Sequence, residues 1–361
     1  MKKSKTIFAA GSDIKNRFLF ARGKEVYPGP DIGDLGDADN YEKFTRAAAR
    51  LSKKGGMCDI AACDLHPGYF SSKFTQARGQ GREPLRIQHH HAHVASVMLE
   101  HALTKPVIGV CFDGTGYGSD GHIWGGEFLI VDKKGFERAA HLKYRKMPGG
   151  DKVVDEPWRM VLSVLGDKYV SLIKGVNKRD KDLVLEMMSK DINSPLTSSA
   201  GRLFDAAAAL LGICVYAAGE AEGPIKLESI CDGSEERSYA FRTTEEEGRY
   251  IIDAKGLFLG MAGDIEKGKR EKDKGKREKK KIAARFHNSM SKIIIETVRK
   301  ISRQTGIKDV ALTGGVFQNN LLKAKAIRGL EKNGFMVFVN EDLPANDLNI
   351  AFGQYFIAKN M

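Results

Sequence analysis

Five of the nine histidines of this 361-residue chain fall within fourteen positions, QHHHAHVASVMLEH at residues 88–101. His89 and His93 are four apart, a spacing that puts both rings on one side of a helix. Neutral imidazole is the commonest side-chain metal ligand, so the pair forms half of a metal site. His90 and His91 point elsewhere on a helix, free to meet a substrate or to support the ligands. The residues between the pair are His and Ala with no glutamate, which excludes the HExxH zinc peptidases. Completing the site takes oxygen ligands from elsewhere. Asp113 closes the β-branched run VIGVCF, and Asp347 stands in PANDLNIAFGQ just before the last helix. Taken singly, each aspartate reads as a turn or N-cap residue. Together, two histidines and two carboxylates suit Fe, Zn or Mn with coordination positions left over.

Three glycine turns follow strand-like runs: Gly11-Ser12-Asp13, DGTGYG at 113–118 and TGGVFQN at 313–319. Glycine there lets backbone N–H groups approach phosphate oxygens, and a following helix N-terminus adds a favourable dipole. None is a Walker A loop or a GxGxxG turn, and hairpins use the same residues. Three in one chain suggest a nucleotide held between two lobes. In SSAGRLFDAAAALLG (198–212), Arg202 and Asp205 open an otherwise apolar helix. They line a cleft, or they belong to a capped helix with an exposed arginine.

These residues need a frame. The spacing predicts helices over YEKFTRAAARLSKK, the histidine segment, much of 155–220, IAARFHNSMSKIIIETVRKISRQTG, NLLKAKAIRGLEKNG and the C-terminal NDLNIAFGQYFIAKN. Strands are expected at TIFAAG, RFLFARG, CDIAACDL, PVIGVCF, KDVALT and FMVFV, with GEFLIV and FERAAHL as an antiparallel pair. Residues 68–86 read as a loop. The alternation makes the class α/β, and the length suits two lobes. No eighteen-residue apolar run is present. Five scattered cysteines, at 58, 63, 111, 214 and 231, fit a reducing cytoplasm rather than a disulfide framework. Of the net charge of +12, half lies in residues 264–285, where eleven Lys/Arg face five Asp/Glu. That run is a solvated loop or helix extension, or it attracts nucleic acid or an acidic partner. It lacks aromatic residues for base stacking.

The pieces GSDIKNRFLFARG, DLHPGYFSSKF, QHHHAHVASVMLEH, FDGTGYGSDGHIWGGEFL, MPGGDKVVDEPWRM, SSAGRLFDAAAALLG, TGGVFQNNLL and PANDLNIAFGQ resemble, in order and over almost the whole chain, the C-terminal carbamoyltransferase domain of the HypF family of nickel–iron hydrogenase maturation proteins. Its broader relatives are threonylcarbamoyl-adenosine tRNA synthases and antibiotic O-carbamoyltransferases. The resemblance implies a two-lobed, actin-like ATPase fold with an interlobe cleft, residues 1–105 forming lobe I and 106–361 lobe II. The lysine-rich 264–285 is then an insert, and the last helix packs back on lobe I. It implies metal ligation by His89, His93, Asp113 and Asp347, catalytic roles for Lys15 and Arg202, and nucleotide contacts from Gly11, Asn16, Gly114, Thr115, Gly116, Gly118, Asp205, Gly314, Gly315 and Asn319. The implied reaction is metal-dependent (Fe or Zn) transfer of a carbamoyl group from carbamoyl-adenylate to the C-terminal cysteine thiol of a HypE-like protein.

Two departures stand out. Full-length members also carry acylphosphatase, zinc-finger and YrdC-like parts, so a separate YrdC-like protein is expected to supply the adenylate. Leu348 and Asn349 stand where the family has two glycines, and leucine replaces a left-handed glycine only at a cost. The competing readings are O-carbamoylation of a small molecule, threonylcarbamoyl transfer to tRNA, and a non-catalytic nucleotide-binding scaffold.

Overall fold

The computed structural model describes residues 5–55, 58–78, 82–269 and 275–361. The first sheet has β1 (Thr6–Ala9), β2 (Leu19–Arg22), β3 (Glu25–Pro28), β4 (Ile60–Asp64) and β5 (Leu85–Ile87) in the order β3-β2-β1-β4-β5. β1, β2 and β3 form an antiparallel meander, and β4 and β5 add on in parallel. The side-chain period of two sorts each strand between two layers. Phe8, Phe18 and Phe20 join Phe44 and Phe74 in an aromatic layer under the Ala38–Gly55 helix. Ile7, Ala9, Leu19 and Ala21 face the other way, onto Ile350, Ala351 and Tyr355 of the C-terminal helix Ile350–Asn360.

The chain continues through β6 (Val107–Phe112), β7 (Gly126–Val131) and β8 (Phe136–Leu142). A two-strand ribbon of β9 (Arg145–Lys146) and β10 (Leu196–Thr197) follows, then β11 (Arg242–Glu246), β12 (Arg249–Asp253), β13 (Asp309–Thr313) and β14 (Met336–Val339). The second sheet runs β11-β12-β8-β7-β6-β13-β14. Its last five strands repeat the first sheet: an antiparallel meander β6-β7-β8, with β13 and β14 parallel beside β6. The fold is therefore two copies of one α/β topology, the actin-like arrangement, with β11 and β12 extending the second copy. β6 is buried along its whole length because helices cover both faces, as its β-branched run requires.

The two helices that matter most are exchanged between the sheets. The histidine helix His89–Glu100 follows the first sheet in sequence yet packs on the second, with Val94 seated on Gly109 of β6, where no Cβ has room. The C-terminal helix does the reverse. The two helices meet at Gly353, where any Cβ would fall on the Ala92 backbone. This crossing forms the waist of the molecule.

One expectation changes, and one open alternative is decided. Residues 70–78 form a helix, Phe70–Arg78, inside the stretch read as a loop. Its sequence, FSSKFTQAR, has only a faint apolar stripe, and burial of Ser71, Ser72, Phe74 and Thr75 holds it. Of the two readings of the lysine-rich run, solvated loop or helix extension, the described part is helix extension. It is the end of one helix, Lys255–Lys269, and the start of another, Gly275–Thr305, with 270–274 outside the described residues. Its Arg285 is buried, pairing with Glu235 at 2.9 Å, Asp264 at 2.5 Å and Glu278 at 3.1 Å, so one of the eleven cations is internal. All five cysteines are free thiols. No described helix is long and apolar enough to cross a membrane.

Candidate metal centre and nucleotide cleft

Gln88 caps the histidine helix, its side chain accepting from the His91 N–H at 2.9 Å. Residues 89–98 are buried all round, a helix enclosed by its neighbours rather than laid on a surface. Successive residues turn by about 100°, so His89 and His93 share a face while His90 and His91 diverge. His90 stays beside Gln88, whose amide lies 3.0 Å from its Nδ1, and His91 packs its ring on Phe136. Burial drives both down, His90 to about 3 and His91 to about 4, so both are neutral at pH 7.

Across from His89 and His93 stand the two aspartates. Asp113 Oδ2 is 3.1 Å from His93 Nε2 and 3.5 Å from His89 Nε2. Asp347 Oδ1 is 3.6 Å from each. Asp113 is aimed by its own turn, its Oδ1 accepting from Gly114 N–H at 2.8 Å and Gly315 N–H at 3.2 Å. Asp347 opens a short 3-10 turn, Asp347–Asn349, capped by the Asn346 side chain. Neither Leu348 nor Asn349 adopts left-handed backbone, and Asn349 sits at φ −88°. The turn therefore needs no glycine there, and the expected penalty does not arise.

One residue of this centre was missed. Asp64, fully buried at the end of β4, holds His89 Nδ1 at 2.8 Å. That bond holds Nδ1 as a proton donor and turns Nε2 toward the aspartates, the orientation from which the neutral ring offers its lone pair to an ion. The available signal was a carboxylate ending the buried run CDIAACD.

Charge in the cluster balances internally. Burial pushes His89 and His93 down, but Asp347, Asp113 and, for His89, Asp64 overcome it, and both histidines end above the ordinary imidazole range. Burial likewise opposes ionisation of Asp113 and Asp347, and the histidines reverse it, holding both carboxylates far below their usual range. The four residues offer one ligand atom each, all within 4.8 Å of one another, and His89 Nε2 is buried with no hydrogen-bond partner. Ligands at about 2.0–2.1 Å from one ion lie about 3.3–3.4 Å apart at tetrahedral vertices and about 2.9 Å at adjacent octahedral ones. The four histidine–aspartate spacings of 3.1–3.6 Å are near these values, and the set as a whole, bounded at 4.8 Å, closes on a single ion by drawing its ligands inward.

The glycine turns surround this cluster, but several of their residues are committed to the protein. Gly11 is in left-handed backbone at φ +76° and is clasped by Gln354 of the C-terminal helix, its N–H donating to Oε1 at 2.9 Å. Asn16 is buried and donates its amide to Ala10 and Ser12 carbonyls, which shapes the turn; its Oδ1 is buried without a partner. Lys15 reaches over to Glu220 at 2.6 Å, an exposed clasp between the first turn and the 211–221 loop. Gly116 lies against the His89 and His90 rings, and Gly118 against Trp124, so both are glycine for packing reasons. Thr115 is exposed. Gly314, at φ +96°, rests on Phe112.

Arg202 and Asp205 form an ion pair at 2.9 Å, with Arg202 Nε buried and unpartnered beside the Gly114 turn. Burial outweighs that arginine and raises Asp205 above the usual carboxylate range. Asn319 is spent structurally: its Oδ1 caps the Asn320–Glu331 helix and its amide donates to His287 Nε2 at 2.9 Å. Cys231 Sγ lies 3.3 Å from His287 Nδ1, a Cys-His-Asn grouping without nucleophilic character. Nδ1 donates to the Ala283 carbonyl, and burial pushes the thiol to about 12.

Two family comparisons divide the chain as the sheets do. The HypF Kae1-like domain matches residues 2–100, and the carbamoyltransferase Kae1-like domain, second subdomain, matches residues 109–354. The chain belongs to the HypF carbamoyltransferase family. A carbamoyltransferase HypF homologue of Cupriavidus necator is 34% identical over 98% of this chain and 91% of that protein. The carbamoyltransferase HypF of a Synechocystis species is 35% identical over 97% of this chain and 46% of its own length. A crystal structure of full-length HypF in a phosphate- and nucleotide-bound form superposes with a TM-score of 0.91 at 36% identity, covering 99% of this chain and 47% of that one. This HypF-family chain thus spans nearly all of one relative and about half the length of the others.

Proposed function

We propose that this chain transfers a carbamoyl group from carbamoyl-adenylate to an external thiol, with a divalent ion, Fe or Zn, held by His89, His93, Asp113 and Asp347. The observation that carries this reading is the convergence of those four buried or half-buried ligand atoms within 4.8 Å of one another. The ion supplies Lewis acidity, offsetting the charge that builds on the leaving phosphate oxygen. Asp64 keeps His89 in the ligating tautomer, and the Gly114 and Gly315 N–H groups keep Asp113 aimed. The Gly11, Gly114 and Gly314 turns line the cleft in which the adenylate lies, with Arg202 beside the second turn.

In the transfer, the acceptor sulfur forms a bond to the carbamoyl carbon as the bond from that carbon to the AMP oxygen breaks. The thiol proton passes to solvent, and AMP leaves. The nucleophile comes from outside the chain. Burial raises all five of its own thiols, the largest contribution at each, so they stay protonated at neutral pH. The acceptor proposed is the C-terminal cysteine of a HypE-like protein, and the adenylate comes from a YrdC-like activity.

The test supplies carbamoyl-adenylate and a peptide ending in cysteine to iron- or zinc-loaded protein and follows AMP release and thiocarbamate formation. Transfer by the wild type, lost together with the ion in His89→Ala, is expected. Equal transfer by a metal-free His89→Ala protein would overturn the metal-dependent reading.

A further inference from the structure

Asp347 belongs to a turn that begins where β14 ends, and something must hold that turn against the histidine helix. Asn340, the first residue after β14, has every hydrogen-bonding position of its amide in use. Its Oδ1 accepts from Thr313 Oγ1 at 2.8 Å and from Asn349 Nδ2 at 3.1 Å. Its Nδ2 donates to Ser96 Oγ at 3.2 Å and to Glu100 Oε2 at 3.1 Å. Two acceptor and two donor positions exhaust a carboxamide.

The partners come from three parts of the centre. Thr313 ends β13 beside the Gly314 turn. Ser96 and Glu100 lie on the histidine helix, and Ser96 Oγ in turn donates to the His93 carbonyl at 2.7 Å. Asn349 is fully buried two residues after Asp347. Glu100 adds a second hold, its Oε1 accepting from the Glu341 and Asp342 N–H groups at 2.7 and 2.6 Å. His101 Nε2 donates to the Val339 carbonyl at 2.7 Å.

We infer that Asn340 and Asn349 are positioning residues for the metal centre: their hydrogen bond fixes the Asp347 turn to the helix that carries His89 and His93. Asn349 stands at a position where the family resemblance places glycine. A glycine offers no side chain to Asn340, so here an amide–amide bond holds the turn. The inference deepens the metal-site reading and rests on it.

The experiment compares wild type with Asn340→Ala, Asn349→Ala and the double variant, using Co2+ as a spectroscopic probe and Zn2+ in competition. Asn333→Ala, whose amide donates to the Gly329 carbonyl at the end of the preceding helix Asn320–Glu331, is the control. Loss of a residue that orients a ligand costs about ten- to a hundredfold in metal affinity. Each single variant is expected to lose about tenfold or more and to change the intensity of the Co2+ ligand-field bands, because Asp347 no longer reaches the ion. The double variant should be no weaker than Asn340→Ala, since both substitutions delete one shared bond. Hydrogen exchange adds a metal-independent readout, with faster exchange of residues 341–349 in the variants. Should Asn340→Ala fail to fold, Asn349→Ala leaves three of the four bonds intact and still decides. Wild-type affinity, bands and exchange in Asn349→Ala would overturn the inference. A wild type that takes no metal, with exchange still faster in the variants, would instead overturn the metal-site reading and leave Asn340 as the tether of the turn.

Discussion

Gly353→Ala tests whether helix crossing sets the metal geometry. A Cβ at residue 353 would lie 2.5 Å from the Ala92 carbonyl carbon and 2.9 Å from its Cα, where ordinary contacts are 3.4–4 Å. The helices must separate by about 1 Å, because neither obstacle is a mobile side-chain tip. Ala92 lies between the two histidine ligands and Gly353 lies six residues after Asp347, so the shift acts directly on the His–Asp347 gaps, now 3.6 Å. Two ligands at about 2.1 Å from one ion can be at most about 4.2 Å apart even when collinear. An opening of about 1 Å takes the gaps past that limit, and Asp347 drops out.

Helix propensity alone favours alanine over glycine by about 1 kcal/mol. Overpacking costs about 1–3 kcal/mol, so the net effect is a destabilisation of up to about 2 kcal/mol. The assay is thermal unfolding of metal-free protein beside Zn2+ titration of the folded protein. A modest fall in Tm with a much larger fall in Zn2+ affinity is the expected result. A raised Tm with unchanged affinity would mean that propensity wins and that the crossing does not set the ligand spacing, refuting the argument.

Two further outcomes follow from named bonds. Asp64→Asn should weaken metal binding about ten- to a hundredfold without unfolding the protein, since an amide can present its N–H to His89 and favour the wrong tautomer; unchanged affinity in a competition titration would show that Asp64 does not tune the ligand. His287 gives a pH dependence. Burial, reinforced by Lys325 and opposed by the bond to the Ala283 carbonyl, lowers it from 6.5 to about 4. Between those values the unfolded chain binds a proton that the folded chain refuses, so stability is full above about pH 6.5 and is lost as the pH falls toward 4. The loss from this one group amounts to about 3 kcal/mol at about 1.36 kcal/mol per pK unit. Denaturant midpoints for His287→Gln should fall less steeply across pH 4–6.5 than those of wild type; parallel curves would refute the assignment.

Much of the centre is legible in the chain alone. His89 and His93 are local in sequence, and helical period alone pairs them. Asp113 and Asp347 each mark an element boundary, and the ordered set of matching segments joins them to the histidines. Other site residues are legible only as types. Asn319 and Asn16 sit in glycine turns, yet their amides are taken up by capping and by turn closure. Lys15 is held by Glu220, a partner 205 residues away that no spacing rule could name. The Phe70–Arg78 helix escapes because a single buried ring, Phe74 in the aromatic layer, anchors it while Ser71, Ser72 and Thr75 fill the rest of its inner face, leaving no apolar stripe to read.

The sequence by itself determined the alternation of strands and helices, the side-chain period that sorts β1 and β2 between two layers, and the chemical types at the metal centre. These are local properties, written within a few residues of one another. Tertiary structure decided what local pattern cannot carry. It exchanged the histidine helix and the C-terminal helix between the two sheets, brought Gly353 onto Ala92, set Asp64 behind His89 and placed Asn340 among three elements at once. Each of those contacts joins residues far apart in the chain, and their positions follow only when both sheets have closed around the waist.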